Sequence, residues 1–125
     1  MKKFLIAAAV SLLLPTAVYA DIAQEIATAT THAGLASKAP NIDGVHMHMH
    51  HAINCLEGAN GADFDKSNAN PCASQGNGAI PDASPAQKAK LTEAVATLKA
   101  GLASSDMAVA GKAATDAAAS IGAAK

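Results

Sequence analysis

The stretch SPAQKAKLTEAVATLKAGL, residues 84–102, predicts a helix and sets where it begins. Ser84 suits the N-cap, Pro85 the first helical position, and Gln87 completes a capping box three residues after the cap. Large apolar side chains follow at spacings of four, three and four residues: Leu91, Val95, Leu98 and Leu102. Because this spacing gives one apolar face that needs a partner, the stretch predicts helix-on-helix packing.

Two more helices are predicted before this one, on either side of Pro40. The first covers residues 21–37, and the second ends at about residue 57 and begins with Asn41 or Asp43 as its cap. Both have apolar residues at helical spacing. The inner faces are predicted to consist of Ile22, Ile26, Ala29, Ala33 and Ala36 in the first helix and Val45, Met49, Ile53 and Leu56 in the second.

Between the second helix and Ser84 the composition changes to Gly, Asn, Asp, Ser and Pro, which predicts a long loop over residues 58–84. Three alternate residues in it resemble the start of a calcium-binding loop: Asp63, Asp65 and Ser67. Position six of that motif would be Asn68 and position twelve Ser74, where glycine and glutamate are required. Ordinary Asx turns are therefore favoured over a calcium site.

A last helix is predicted to run towards Ala124, after a cap chosen from Ser104, Ser105 and Asp106. Its inner face is expected to consist of Met107, Ala110, Ala114, Ala117 and Ile121. Helices joined by short turns pack antiparallel. The sequence thus predicts an all-α fold, a small up-down bundle of four helices with one long Gly/Asn-rich loop.

The first twenty residues have the features of a cleaved signal peptide. Two lysines precede an apolar run over residues 4–14, and Val18 and Ala20 present small side chains at a cleavage site. A membrane anchor is the alternative, but the run is short for a span. We therefore predict cleavage after Ala20, a single domain over residues 21–125, a periplasmic or secreted location, and no stable membrane association afterwards.

Charge and cysteine content narrow the function further. After cleavage, seven lysines face ten acidic residues, and arginine is absent, so a nucleic-acid partner is not expected. The two cysteines, Cys55 and Cys72, predict one disulfide in an oxidising compartment, the alternative being metal thiolates. Such a disulfide would also tether the long loop, and it would add roughly 3 kcal/mol to the stability of a thin core.

The segment VHMHMHH, residues 45–51, is the feature most suggestive of function. On a helix, His46 and His50 lie one turn apart on one face, while His48 and His51 form a second line of donors that leads to Cys55. On a strand the alternate histidines would share a face instead, but the helical spacing around the segment favours a helix.

One helix rarely supplies a complete coordination shell. His32 is the candidate partner on the first helix, because antiparallel packing about Pro40 would bring it near residues 46–50. Glu25 and Glu57 are weaker candidates. The predicted ligands are therefore His32, His46, His48, His50, His51 and Met47.

Ligand softness favours copper, with zinc or nickel as further possibilities, and Met47 leaves both monovalent and divalent copper open. Binding should be lost as pH falls through the histidine range, since protonated imidazole cannot coordinate a metal. The other interpretations are a partner-binding or pH-sensing histidine face and a haem site, which the missing Cys-x-x-Cys-His motif and the shortage of aromatic residues disfavour. No constellation of catalytic residues is evident, so an enzyme is not expected.

The signal peptide, the alanine-rich helices and the histidines between His46 and His51 together resemble the small periplasmic metal-binding proteins of bacteria that fold as four-helix bundles. The resemblance implies buffering, storage or delivery of copper and other divalent ions. Those proteins usually spread their histidines over several helices, whereas here one helix carries four of the five. The protein partner is not indicated by the sequence.

Overall fold

The computed structural model describes residues 20–125, and this part is all-helical, with no strands. Five helices pack together, and their bounds are α1 (Ile22–Ala36), α2 (Ile42–Glu57), α3 (Ala79–Asp82), α4 (Pro85–Leu102) and α5 (Met107–Gly122). The all-helical prediction is confirmed. The signal-peptide prediction concerns residues 1–20, of which all but Ala20 lie outside the described residues.

The N-termini of the long helices are fixed by side-chain caps. Asn41 Oδ1 accepts a hydrogen bond from the Gly44 backbone N–H at 2.8 Å, and Ser84 forms the predicted capping box with Gln87. Asp21 and Asp106 cap α1 and α5 in the same way. Each cap satisfies backbone N–H groups that the first helical turn leaves without partners.

The structure has one helix more than the four that the sequence predicts. The extra element, α3, is a single turn inside the segment predicted as loop. It follows Gly78, and Asp82 accepts hydrogen bonds from the Asn77 backbone N–H at 2.7 Å and the Asn77 side chain at 3.0 Å. Although Ala79 in this turn is fully buried, four residues are too few to show a helical period, so the sequence gives no apolar periodicity by which to predict it.

The core combines large side chains, mostly from α2 and α4, with faces on α1 and α5 that are mainly alanine and include one buried isoleucine each, Ile26 and Ile121. Met49 of α2 and Leu98 of α4 are fully buried. The alanines with no exposed surface include Ala29 and Ala33 in α1 and Ala110, Ala114 and Ala117 in α5. Since the separation of packed helices depends on the side chains between them, these faces allow α1 and α5, which contact each other, to approach closely.

The long loop is attached to α2 through one buried side chain, Asn54. Its Oδ1 accepts from the Asp65 backbone N–H at 2.8 Å. Its Nδ2 faces three carbonyl oxygens, those of Asp65 at 2.9 Å, Asn68 at 3.2 Å and Ala69 at 3.1 Å. Next to it, the sulfur atoms of Cys55 and Cys72 lie at disulfide distance, with Cα atoms 5.0 Å apart.

Asp65 forms the predicted Asx turn rather than a calcium site. Its carboxylate accepts from the Ser67 hydroxyl at 2.6 Å and backbone N–H at 2.9 Å, and from the Asn68 side chain at 2.9 Å. These hydrogen bonds, led by the Ser67 hydroxyl, lower the pKa of Asp65 to about 2. The carboxylate oxygens thus bond to the loop itself.

Alanine substitutions at two glycines are expected to change the stability of the protein in opposite directions. Gly58 ends α2 with φ of +69°, and a Cβ there would lie 1.7 Å from the Asn77 carbonyl oxygen. Gly34, inside α1, has open space around its Cβ position. We expect Gly58→Ala to lower the free energy of unfolding by about 2 kcal/mol or more and Gly34→Ala to raise it by about 0.5–1 kcal/mol.

Urea denaturation of both variants measures this difference, and each variant is a control for the other. Equal stability of Gly58→Ala and the wild type would contradict the tight approach of the loop to the end of α2.

Candidate metal centre

The first two helices run antiparallel and bring their histidines together. His32 of α1 lies beside His48 of α2, and farther along the pair the Cys55 sulfur lies 3.9 Å from the Glu25 carbonyl oxygen. Later residues of α2 therefore lie beside earlier residues of α1, which is the antiparallel arrangement. The short turn at Pro40 makes this arrangement possible, and it places His32 opposite the histidine-rich segment.

Three imidazoles converge between these helices: His32, His48 and His51. A ligand atom of each lies within 4.8 Å of those of the other two. The ring centroids are 5.1 Å apart for His32 and His51, and 5.6 Å apart for the other two pairs. All three side chains are half-buried. We call this group the His triad.

The spacing of the His triad fits a transition-metal ion. A tetrahedral ion with nitrogen ligands at 2.0–2.1 Å needs ligand atoms about 3.4 Å apart. The Nδ1 atoms of His32 and His48 are 3.4 Å apart. No separation in the group exceeds 4.8 Å, so the closing movement is at most about 1.4 Å, which small rotations of the half-buried imidazole rings can supply.

The electrostatics of the His triad also favour coordination. Burial lowers the pKa of His32, and the neighbouring His51 and His48 lower it further. Burial also lowers the pKa of His51, with added effects of His48 and His50. Both shifts favour the neutral ring, whose nitrogen lone pair can coordinate a metal. The His51 Nδ1 atom is buried and has no hydrogen-bond partner in the described part of the protein, and such atoms are rare without a ligand or water.

The other predicted ligands lie elsewhere on α2. His46 Nε2 donates to the Ser104 carbonyl oxygen at 2.9 Å, and His50 Nδ1 lies 3.3 Å from the Asp65 carboxylate. Met47 is 43% exposed and does not belong to the triad. Met49 is fully buried, in accordance with its place on the apolar face. Of the two histidine pairs on α2, His48 and His51 therefore face α1, whereas His46 and His50 do not join the triad.

Cys55 and Glu25 have other partners. Cys55 is paired with Cys72, which leaves no thiolate for the His triad. Glu25 is completely buried, and its Oε1 accepts from the Gly78 backbone N–H at 2.9 Å, while its Oε2 has no hydrogen-bond partner among the described residues. Glu25 thus fixes the loop before α3 and does not face the histidines.

Glu25 should make the protein less stable at neutral pH than at acid pH. Burial raises the pKa of Glu25, and the nearby Asp82 and Asp21 charges add to this, against the hydrogen bond from Gly78. Because its pKa is higher in the folded than in the unfolded chain, its favourable contribution is complete below the unfolded value of about 4.3. It is lost as pH rises through the folded pKa.

Glu25→Gln is therefore expected to stabilise the protein at pH 7 by about 1–2 kcal/mol and to have little effect at pH 4. The amide keeps an acceptor for Gly78 and cannot ionise. Thermal denaturation at both pH values measures the effect, and Glu93→Gln, on an exposed position of α4, is the control. A loss of stability at pH 7 would contradict this account of the buried carboxyl.

Comparison of the chain with known protein families, characterised proteins and solved structures finds no match. Among the described helices, none combines the length and the apolar character that a membrane crossing requires. The His triad is therefore the feature of the described residues that points to a function.

Proposed function

We propose that this chain is a periplasmic metal-binding protein that holds one transition-metal ion with His32, His48 and His51, for buffering, storage or delivery rather than for catalysis. The observation that carries the proposal is the convergence of three imidazoles from two helices. The buried His51 Nδ1 atom, which has no protein partner, supports it. Three protein ligands are enough to hold such an ion and leave one coordination position for another ligand.

Divalent copper is the proposed ion. Imidazole nitrogen suits copper, zinc and nickel, and affinity among divalent ions generally peaks at copper. The triad itself consists of imidazoles, and Met47 is 43% exposed, so the proposal gives no role to the sulfur ligands that favour monovalent copper. The order of affinity is therefore expected to be copper above nickel and zinc.

A periplasmic location agrees with two observations. The first twenty residues have signal-peptide features, and Cys55 and Cys72 lie at disulfide distance. Disulfides persist in oxidising compartments, of which the bacterial periplasm is one. Location is tested by fractionation and by the mass of the exported chain, which should begin at Asp21.

Native mass spectrometry tests the metal proposal. The untagged protein is isolated from the periplasmic fraction, stripped of metal, and titrated with copper, nickel and zinc separately. One tightly bound copper ion per chain is the expected result. A chain that binds no ion stoichiometrically would refute the proposal and favour the alternative of a histidine face that contacts a partner protein.

A further inference from the structure

We propose that the metal ion in the His triad keeps one coordination position open to solvent and binds a small anion there. This inference rests on the proposed function and extends it, since it concerns what the bound ion does next. The ligand class is an anion that donates a single atom, such as a halide, a hydroxide or a carboxylate.

In the described part of the chain, three side chains of the usual metal-ligating types converge, and they are all imidazoles. Within residues 20–125, no further His, Cys, Asp or Glu joins the group in which all ligand atoms lie within 4.8 Å of one another. The donors closest in sequence are engaged elsewhere: His46 with Ser104, His50 with Asp65, and Cys55 with Cys72. An ion that takes four or more ligands would therefore complete its shell from outside these three imidazoles.

The open position is accessible to solvent, because none of the three imidazoles is enclosed. All three side chains are half-buried, and two nearby residues in the sequence, Leu35 on α1 and Met47 on α2, are each 43% exposed. A small molecule can therefore reach the ion from solvent.

Charge selects an anion over a neutral ligand. Three neutral imidazoles leave a divalent ion with its full charge of two, and a half-buried site solvates that charge poorly. No carboxylate belongs to the group. Asp65 is bonded to its own loop and contacts His50, and Glu25 bonds Gly78. The uncompensated charge therefore favours a negatively charged ligand.

The exchange is a simple substitution. A solvent molecule leaves the ion as the donor atom of the anion binds, and no electron is transferred.

Azide is the probe for this site. The full mature protein, loaded with one divalent copper ion, is titrated with azide and followed by its azide-to-copper charge-transfer absorption, while native mass spectrometry reports the copper that remains bound. We expect a saturable absorption change with one azide per copper and no loss of copper. An unchanged spectrum, or copper released as azide is added, would overturn the inference.

Two variants make the result decisive. His50→Ala and Asp65→Asn each remove one member of the His50–Asp65 contact, which lies outside the triad. Both variants should show the same azide response as the wild type. If only the variants respond, one of these side chains fills the fourth position and the inference is wrong. Failure of the proposed function is distinct, because it would appear earlier, as an absence of bound copper before azide is added.

Discussion

His32→Ala is expected to lower the affinity for divalent copper by at least about 100-fold. Even residues that only support metal ligands cost 10–100-fold when mutated, and His32 supplies one of three ligands and the only one from α1. The remaining pair, His48 and His51, would both lie on one helix and approach the ion from one side. Competition titration against a chelator of known affinity measures the loss.

His46→Ala and His50→Ala are the matched controls. Both residues lie on α2 and are half-buried like the triad members, but their contacts are with Ser104 and Asp65. The double variant is expected to bind copper within about threefold of the wild type, well below the 10-fold lower end for residues that support a ligand. Equal affinity of His32→Ala and wild type would confine the site to α2. A large loss in the double variant would show that the wrong histidine pair has been assigned.

Asn54→Ala is expected to lower the free energy of unfolding by about 3–4 kcal/mol. The substitution removes the hydrogen bond that Oδ1 accepts and those that the two Nδ2 hydrogens share among three carbonyl oxygens. Each hydrogen bond is worth about 1 kcal/mol net, and more where a partner is left buried without a substitute. Urea denaturation measures the loss. Asn60→Ala, at an exposed position of the same loop, is the control and should change stability by no more than about 0.5 kcal/mol.

Asn54→Asp separates hydrogen bonding from shape. Aspartate has nearly the same size, but it would place a carboxylate oxygen where Nδ2 now faces the carbonyl oxygens of Asp65, Asn68 and Ala69. We expect it to be at least as destabilising as alanine, because acceptors would then face acceptors in a buried setting. If Asn54→Asp were as stable as the wild type, the role assigned to Nδ2 would be wrong.

Local sequence predicts the long helices well because their signals are local. The caps Asn41 and Ser84 act within three residues, and the apolar spacing of Leu91 and Leu98 recurs every turn. Both kinds of signal can be recognised without knowledge of the rest of the chain. The contacts of Asn54 cannot be predicted in this way, because they connect residues 11 to 15 positions apart and nothing in the sequence singles out this asparagine.

The His triad illustrates the same limit. By helical geometry alone, His46 with His50 and His48 with His51 are comparable chelating pairs. The choice between them depends on which side of α2 faces α1, and thus on how the core places the apolar face that includes Met49. The sequence could suggest His32 as a partner from the Pro40 turn, but only the packed helices show which two histidines it meets.

The two kinds of buried face described above imply opposite patterns of tolerance to mutation. On the α1 and α5 faces, Ala33 and Ala114 have no exposed surface. A smaller side chain there removes only a methyl group, whereas a larger one forces the helices apart. Across α4, where Leu91 and Leu98 are fully buried, shorter side chains leave cavities and cost most. Natural variation in this protein should therefore drift towards glycine and serine on the first surface and towards isoleucine and methionine on the second.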